Sequence, residues 1–243
     1  NSEKQYIEEI LPRKNQLVRP IVANIDYLGI VLAVEEPEPD FQLIDKMIVS
    51  AEMNKIEPII IINKIDLGSP EKIESIKKVY EKTKYPIISL SCKQERGLDK
   101  LTEAIKDGIT AFAGQSGVGK SSIINLLCPG KELEVGELSD KIKRGRHTTR
   151  HVELLLLDNG GMVVDTPGFS MMIIDSLEPE DLQLYYPEFE PYIGQCKFTG
   201  CIHYHEPGCM VKEAVEAGEI PKDRYDRYIR IYTELEENRR DSW

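Results

Sequence analysis

The sequence predicts an α/β chain: a doubly wound, largely parallel sheet over residues 20–172, followed by a small helical domain over residues 173–243. Three observations predict it. Short all-apolar runs alternate with segments of helical period between residues 20 and 166. A glycine-rich stretch, Gly114–Ser121, sits between a strand-like and a helix-like segment. Beyond about residue 172 strand-like runs cease, and aromatics, prolines, cysteines and histidines take over.

Each element has its own justification. Residues 1–19 read as the tail of one unit and a linker; the chain opens at Asn1, as if something preceded it. Residues 21–34, IVANIDYLGIVLAV, read as a strand. Residues 40–55 place apolar side chains at helical spacing, with Asp40 as N-cap. Pro58–Lys64 is a short buried strand of a sheet covered on both faces. A helix follows from Ser69, its N-cap, with Pro70 at the first position. Residues 86–91 are the next strand and 98–108 the next helix. Residues 109–114 form a strand that enters the glycine loop, and 120–128 a helix that leaves it. Strands over 151–158 and 161–166 complete the sheet, and residues 221–240 form a helix of the second domain.

Bulk properties narrow the function classes. Hydrophobic residues make up 41% of the chain, enough for an ordinary core, and no apolar run is long enough to span a bilayer. A net charge of −11 argues against indiscriminate nucleic-acid binding, although Lys141, Lys143, Arg144, Arg146 and Arg150 form one local basic patch. Five cysteines, three of them within 196–209, and no secretory leader point to a reducing, cytoplasmic compartment and a metal site rather than disulfides.

The glycine loop carries the first chemistry. Gly114-Gln115-Ser116-Gly117-Val118-Gly119-Lys120-Ser121 fits G-x-x-x-x-G-K-[ST]. Glycines let backbone N–H groups turn inward around phosphates. Lys120 supplies a cation to the β- and γ-phosphates, and the Ser121 hydroxyl ligates Mg²⁺. Ser122 continues the helix whose N-terminal dipole favours the anion. The plain alternative is a glycine turn joining strand to helix.

Asn63-Lys64-Ile65-Asp66 ends the apolar strand that starts at Pro58. An Asp66 carboxylate accepts from both guanine N1–H and the exocyclic amine, a pair adenine does not offer. Asn63 holds loop and base, and the Lys64 stem covers the ring. Ser91-Cys92-Lys93 ends the next strand and resembles the Ser-Ala-Lys element whose backbone amide contacts guanine O6. Asp165-Thr166-Pro167-Gly168 ends another strand, with Asp165 set to orient Mg²⁺ and the Gly168 amide to sense the γ-phosphate. Between them, RGRHTTRH lies where a switch loop belongs; Thr148 or Thr149 completes the Mg²⁺ shell, Thr149 being favoured. Base-reading elements thus precede the phosphate loop and switches. The set is complete but rotated, as in a circularly permuted P-loop GTPase domain binding GTP and GDP. After Gly168 the mobile segment of such a domain would run straight into the C-terminal domain.

In that domain Cys196, Cys201, His203 and Cys209 supply three thiolates and an imidazole, the set a closed structural Zn²⁺ site takes. His205 is the alternative nitrogen ligand. Tyr225, Tyr228, Ile229, Tyr232 and Leu235 fall on one helix face, read as core; beside them Arg224, Arg227 and Arg230 leave RNA contact as a lesser reading.

The rotated order, GQSGVGKSS, RGRHTT, DTPGF and the Cys-Cys-His-Cys spacing together resemble the RsgA (YjeQ/EngC) family over residues ~10 to 243. The resemblance implies a ribosome-stimulated GTPase in late maturation of the small (30S) ribosomal subunit, acting on that subunit and its rRNA as a soluble monomer. It implies an N-terminal OB-fold domain, of which residues 1–19 hold the last strand and linker. It also implies that His147 is the catalytic group. Phe169 stands just after Gly168, near where many GTPases carry a water-orienting polar residue, and an apolar side chain cannot orient water. The rival readings are a non-catalytic, GTP-dependent ribosome-binding adapter and a permuted GTPase serving the large subunit.

Overall fold

The computed structural model describes residues 9, 12–17, 22–129, 153–165 and 174–241. Strands β1 (Gln16–Leu17) and β2 (Val22–Ala23) make a small antiparallel pair. The main sheet contains β3 (Tyr27–Ala33), β4 (Glu57–Asn63), β5 (Ile87–Ser89), β6 (Ile109–Ala113), β7 (Glu153–Leu156) and β8 (Met162–Asp165). Their order is β5-β4-β3-β6-β8-β7. Neighbours are parallel except β7, which runs antiparallel along β8. The helices are α1 (Phe41–Met53), α2 (Pro70–Tyr80), α3 (Leu98–Ala104), α4 (Lys120–Leu127), α5 (Met210–Glu216) and α6 (Lys222–Asp241).

Period-two alternation explains why the strands read as unbroken apolar runs. Ile30, Leu32, Ile60 and Ile62 pack on one face against Ile44, Met47 and Ile48 of α1 and Ile76 and Tyr80 of α2. Val31, Ala33, Ile59 and Ile61 pack on the other against Leu101 of α3 and Ile123 and Ile124 of α4. Both expected N-caps form: Asp40 accepts the Leu43 N–H at 3.0 Å, and Ser69 the Lys72 N–H at 3.2 Å.

The single strand expected over 21–34 is instead divided, β2 ending at Ala23 and β3 starting at Tyr27. Asn24 turns left-handed (φ 61°), which Asn tolerates. The polar residues here bond outside a continuous ladder. Asn15 accepts the Ile25 N–H at 2.9 Å and donates to its carbonyl at 2.6 Å, while Asp26 accepts the Ile109 N–H at 2.8 Å.

The C-terminal domain is helical. Two 3-10 turns, Pro179–Tyr185 and Pro187–Phe189, join α5 and α6 around a core that includes Leu182, Phe189, Val211, Ile220 and Ile231. On α6, Tyr228, Tyr232 and Leu235 are buried, and Tyr225 and Ile229 pack at the core edge. Arg224 and Arg227 are buried in ion pairs, so the lesser reading of them as RNA contacts is overturned; only Arg230 of the three is exposed.

Strand order reverses between β3 and β6, the position at which doubly wound sheets open a crevice at the carboxyl ends of their strands. The loops after β3, β4, β5 and β6 all emerge at that edge. Residues far apart in the chain are brought together there.

Candidate functional site

The phosphate-type loop joins β6 to α4. Gly114 has φ 146°, and a Cβ there would stand 2.1 Å from the Val31 carbonyl oxygen. Gly119 has φ 101°, and its Cβ would stand 2.3 Å from Asn63 Nδ2. Only glycine lets the loop lie this close to β3 and β4. Lys120, at the first position of α4, donates to the carbonyls of Gly114 (2.8 Å) and Gln115 (2.7 Å) across the mouth of the loop. Burial pulls its pKa down to about 8. Gln115 is half-buried, Ser116 and Gly117 are exposed, Val118 is buried, and Ser121 and Ser122 are half-buried at the start of α4.

Asn63 ties this loop to the base-type elements. It is buried; its amide donates to the Val118 carbonyl at 2.8 Å and accepts the Cys92 N–H at 3.3 Å. One side chain thereby braces three loops. Lys64 (φ 60°) donates to the Glu36 carbonyl. Ile65 N–H donates to the Leu90 carbonyl at 3.3 Å. The Ser91 hydroxyl donates to Asp66 Oδ1, and that bond holds the Asp66 carboxyl below its ordinary range. Ser91 is buried, Lys93 exposed, and burial pushes the Cys92 thiol up to about 11. Asp165 ends β8 beside β6, at the same sheet edge. His147, Thr148, Thr149 and Gly168, with Phe169 and the basic patch, lie outside the described residues.

In the C-terminal domain the donor atoms of Cys196, Cys201, His203 and Cys209 lie within 4.8 Å of one another. His203 Nδ1 stands 3.6, 3.5 and 3.3 Å from the sulfurs of Cys196, Cys201 and Cys209. The Cys196 and Cys209 sulfurs are 3.9 Å apart. A tetrahedral ion at ordinary Zn–S and Zn–N bond lengths sets S···N edges near 3.6 Å and S···S edges near 3.8 Å, close to the three His203 distances and the Cys196–Cys209 distance. His205 is exposed and stacks on Tyr204 with ring centroids 3.6 Å apart.

What holds this turn could not be read from ligand spacing. His203 is left-handed (φ 62°) and 1% exposed. Its Nε2 pairs with Gln183 Oε1 at 2.9 Å, which makes Nε2 the protonated nitrogen and leaves the Nδ1 lone pair for the cluster. Glu206 accepts the Ile202 and Tyr204 N–H groups, both at 3.0 Å. The Tyr225 and Tyr228 hydroxyls of α6 donate to the His203 and Ile202 carbonyls at 2.7 and 2.8 Å. Burial pushes the Cys201 thiol up to about 12, raises Cys209 and lowers His203. A metal taken up here must displace thiol protons.

The chain matches the family model for RsgA GTPase over residues 10–175. It is 49% identical, over 98% of its length and 80% of the relative's, to the small ribosomal subunit biogenesis GTPase RsgA of Caldanaerobacter subterraneus subsp. tengcongensis. It is 44% identical to the same-named protein of Alkaliphilus metalliredigens, over 99% of this chain and 82% of that one. Among solved structures it superposes on YjeQ from Thermotoga maritima with a TM-score of 0.82 at 42% identity, covering 94% of this chain and 77% of that one. It superposes on YloQ, a circularly permuted GTPase, with a TM-score of 0.81 at 36% identity, covering 98% and 77%. A rotated set of nucleotide elements at one sheet edge, a downstream Cys-Cys-His-Cys cluster and these matches agree: the chain belongs to the RsgA GTPase family.

Proposed function

We propose that this chain binds GTP at the carboxyl edge of its sheet, hydrolyses it to GDP and phosphate, and serves maturation of the small ribosomal subunit. The bracing by Asn63 carries the reading. A base-reading strand end, a second base loop and a phosphate loop are useful together only to one nucleotide, and a single buried amide holds them in mutual register. The curated relatives are named for the same role at 43–49% identity.

In this reading Asp66, Asn63, Lys64 and Ile65 take the guanine from one side, and Ser91, Cys92 and Lys93 from the other. Residues Gly114–Gly119 wrap the phosphates with backbone N–H groups, and Lys120 neutralises the β- and γ-phosphate charge. Ser121, Thr149 and Asp165 hold Mg²⁺, which supplies electrostatic stabilisation of the transferring phosphoryl group. Ser122 and Thr148 are assigned to the same nucleotide site, and the Gly168 amide senses the γ-phosphate. Water attacks the γ-phosphorus, its proton passes to phosphate, and the β–γ bridging oxygen leaves with GDP; His147 positions that water. The Cys196–Cys201–His203–Cys209 cluster holds one structural zinc ion. The partners are the small subunit and its rRNA, met by the basic residues around His147, and the chain acts in the cytoplasm as a monomer. No helix among the described residues is long and apolar enough to cross a membrane.

The test is GTP turnover with and without purified 30S subunits. Stimulation by 30S and not by 50S supports the reading, and no turnover under either condition favours the adapter. His147→Ala is expected to bind GTP normally and to cut stimulated turnover on the order of 10²-fold, the usual scale for a positioned acid–base or water-orienting group. Wild-type turnover from a variant shown to bind both GTP and subunits rules His147 out.

Lys120 adds a pH dependence. Without nucleotide its pKa is about 8, because burial disfavours the charged form. Bound phosphates favour that form and raise the value. Binding must then take up a proton once pH exceeds about 8, so Lys120 is expected to make GDP affinity fall from pH 8 towards 9 and to contribute no slope below about 7. Calorimetry in buffers of different ionisation enthalpy reads the uptake; none at pH 9 contradicts the assignment.

A further inference from the structure

Helix α1 belongs to two cores at once. Ile44, Met47, Ile48 and Ala51 pack into the sheet core, whereas Val49 belongs to the C-terminal core and Met53 packs against it. Between these faces lies Asp45, which is fully buried. Its Oδ1 accepts from Tyr80 Oη (2.9 Å) and Arg224 Nη1 (2.5 Å), and its Oδ2 from Arg227 Nε (2.5 Å). Arg224 Nε donates to Glu188 Oε1 at 2.5 Å. Aromatic faces cover the guanidinium groups: Arg224 lies 4.5 Å from the Tyr186 ring and 5.4 Å from Tyr80, and Arg227 lies 5.3 Å from Phe41. Further along the helix pair, Lys46 and Gln42 both reach Glu234 of α6. Docking of the C-terminal domain takes this carboxylate out of water and replaces its hydration with the two guanidinium groups, so the docked arrangement depends on their geometry.

The other end of the same helix touches the nucleotide loop. The N–H of Asp40, the N-cap of α1, donates to Gln115 Oε1 at 3.1 Å. Five residues, about one and a half helical turns, separate this contact from Asp45. A helix segment this short moves as one body. Displacement of Asp45 with the C-terminal domain is passed along α1 to its first turn, where the Asp40 N–H meets Gln115.

We infer that Asp45 is a positioning residue for the nucleotide site: through α1 and Gln115, docking of the C-terminal domain sets the phosphate loop, and nucleotide in the loop reports back to α6. This rests on the GTP-binding reading above. The route is separate from the covalent one that follows Gly168. It works in both directions, because coupling between two binding events is reciprocal. Among the described residues, Tyr186 Oη, Glu188 Oε2, Arg224 Nη2 and Arg227 Nη2 of this cluster are buried and make no hydrogen bond.

The test uses the full zinc-loaded chain. Amide hydrogen exchange of α6 is followed with and without GDP in wild type, Gln115→Ala and Asp45→Asn, with GDP dissociation constants for both variants and the double variant. GDP is expected to slow exchange in α6 of wild type and to lose that effect in Gln115→Ala, even at saturating GDP. Asp45→Asn is expected to weaken GDP binding about 5- to 20-fold, within the usual range of coupling between sites. The double variant should be little weaker than the worse single one. Should Asp45→Asn fail to retain zinc or fold, the Gln115→Ala exchange comparison decides alone. Unchanged GDP protection of α6 in Gln115→Ala overturns the inference while leaving GTP binding intact. No guanine nucleotide binding by wild type overturns both.

Discussion

Replacing Asp66 by Asn is expected to lower GTP affinity by about 10²- to 10⁴-fold and to make xanthosine triphosphate the preferred nucleotide. Asp66 follows β4 in a loop held by Ile65 N–H, and the Ser91 hydroxyl favours its ionised form. In that form it accepts from guanine N1–H and from the exocyclic amine. Hydrogen bonds to a charged group are worth about 1.5–3 kcal/mol each; the amide removes the charge from one and sets its own N–H₂ against the exocyclic amine in place of the other. Xanthine carries a carbonyl in place of the amine, which repels a carboxylate but accepts from an amide. Fold and phosphate loop should be untouched, since Asp66 is half-exposed and the bracing to Val118 and Cys92 belongs to Asn63. Competition binding with fluorescent guanosine and xanthosine diphosphates measures the switch. Equal GTP affinity in both proteins, with no gain for xanthosine, would show that Asp66 does not read the base.

Cys201→Ser is expected to remove the metal and loosen the C-terminal domain selectively. Cys201 is buried, and its sulfur lies 3.5 Å from His203 Nδ1. A structural zinc contributes an apparent ~10–16 kcal/mol in small zinc domains, and a hydroxyl is a poor substitute for one of its three thiolates. Elemental analysis should find about one zinc per wild-type chain and little in the variant. Amide exchange should quicken across α5 and α6 while β4 and β6 stay protected. Stoichiometric zinc in the variant, or none in wild type purified without chelator, contradicts the assignment.

The sheet domain was legible in the sequence because its signals are local and repeated. The short β-branched run Ile59–Ile62 reads as a strand buried on both faces, Asp40 and Ser69 announce helix starts, and the motif at 114–121 has a fixed mechanical form. The Cys-Cys-His-Cys cluster was legible for the same reason, since its four donors fall in a short stretch. The parts that escaped depend on partners distant in sequence. Asp45 looks like an ordinary polar interruption of α1 until Arg224 and Arg227 arrive from the far end of the chain. Those arginines left RNA contact as a lesser reading because helical spacing does not say that a carboxylate waits opposite. The division between β2 and β3 follows from Asn15 and Asp26 bonding across to Ile25 and Ile109, which no run of propensities contains. Gln183 holds the His203 ring, and Glu206, Tyr225 and Tyr228 hold the backbone of the Cys-Cys-His-Cys turn; such partners carry no motif.

The metal turn and α1 share a dependence on α6, and this sets an order of events during biosynthesis. The turn at 196–209 leaves the translating ribosome before the Tyr225 and Tyr228 hydroxyls that fasten it. At about 5–20 residues per second, the interval between Cys209 and the end of α6 lasts several seconds. During that time Asp45 on the outer face of α1 lacks the two arginines of α6 that pair with it. An apolar residue at position 45 would make that face a sticky stripe on a nascent protein. An aspartate there stays hydrated until the two arginines replace its water, so the same carboxylate that anchors the finished interface keeps the unfinished one soluble.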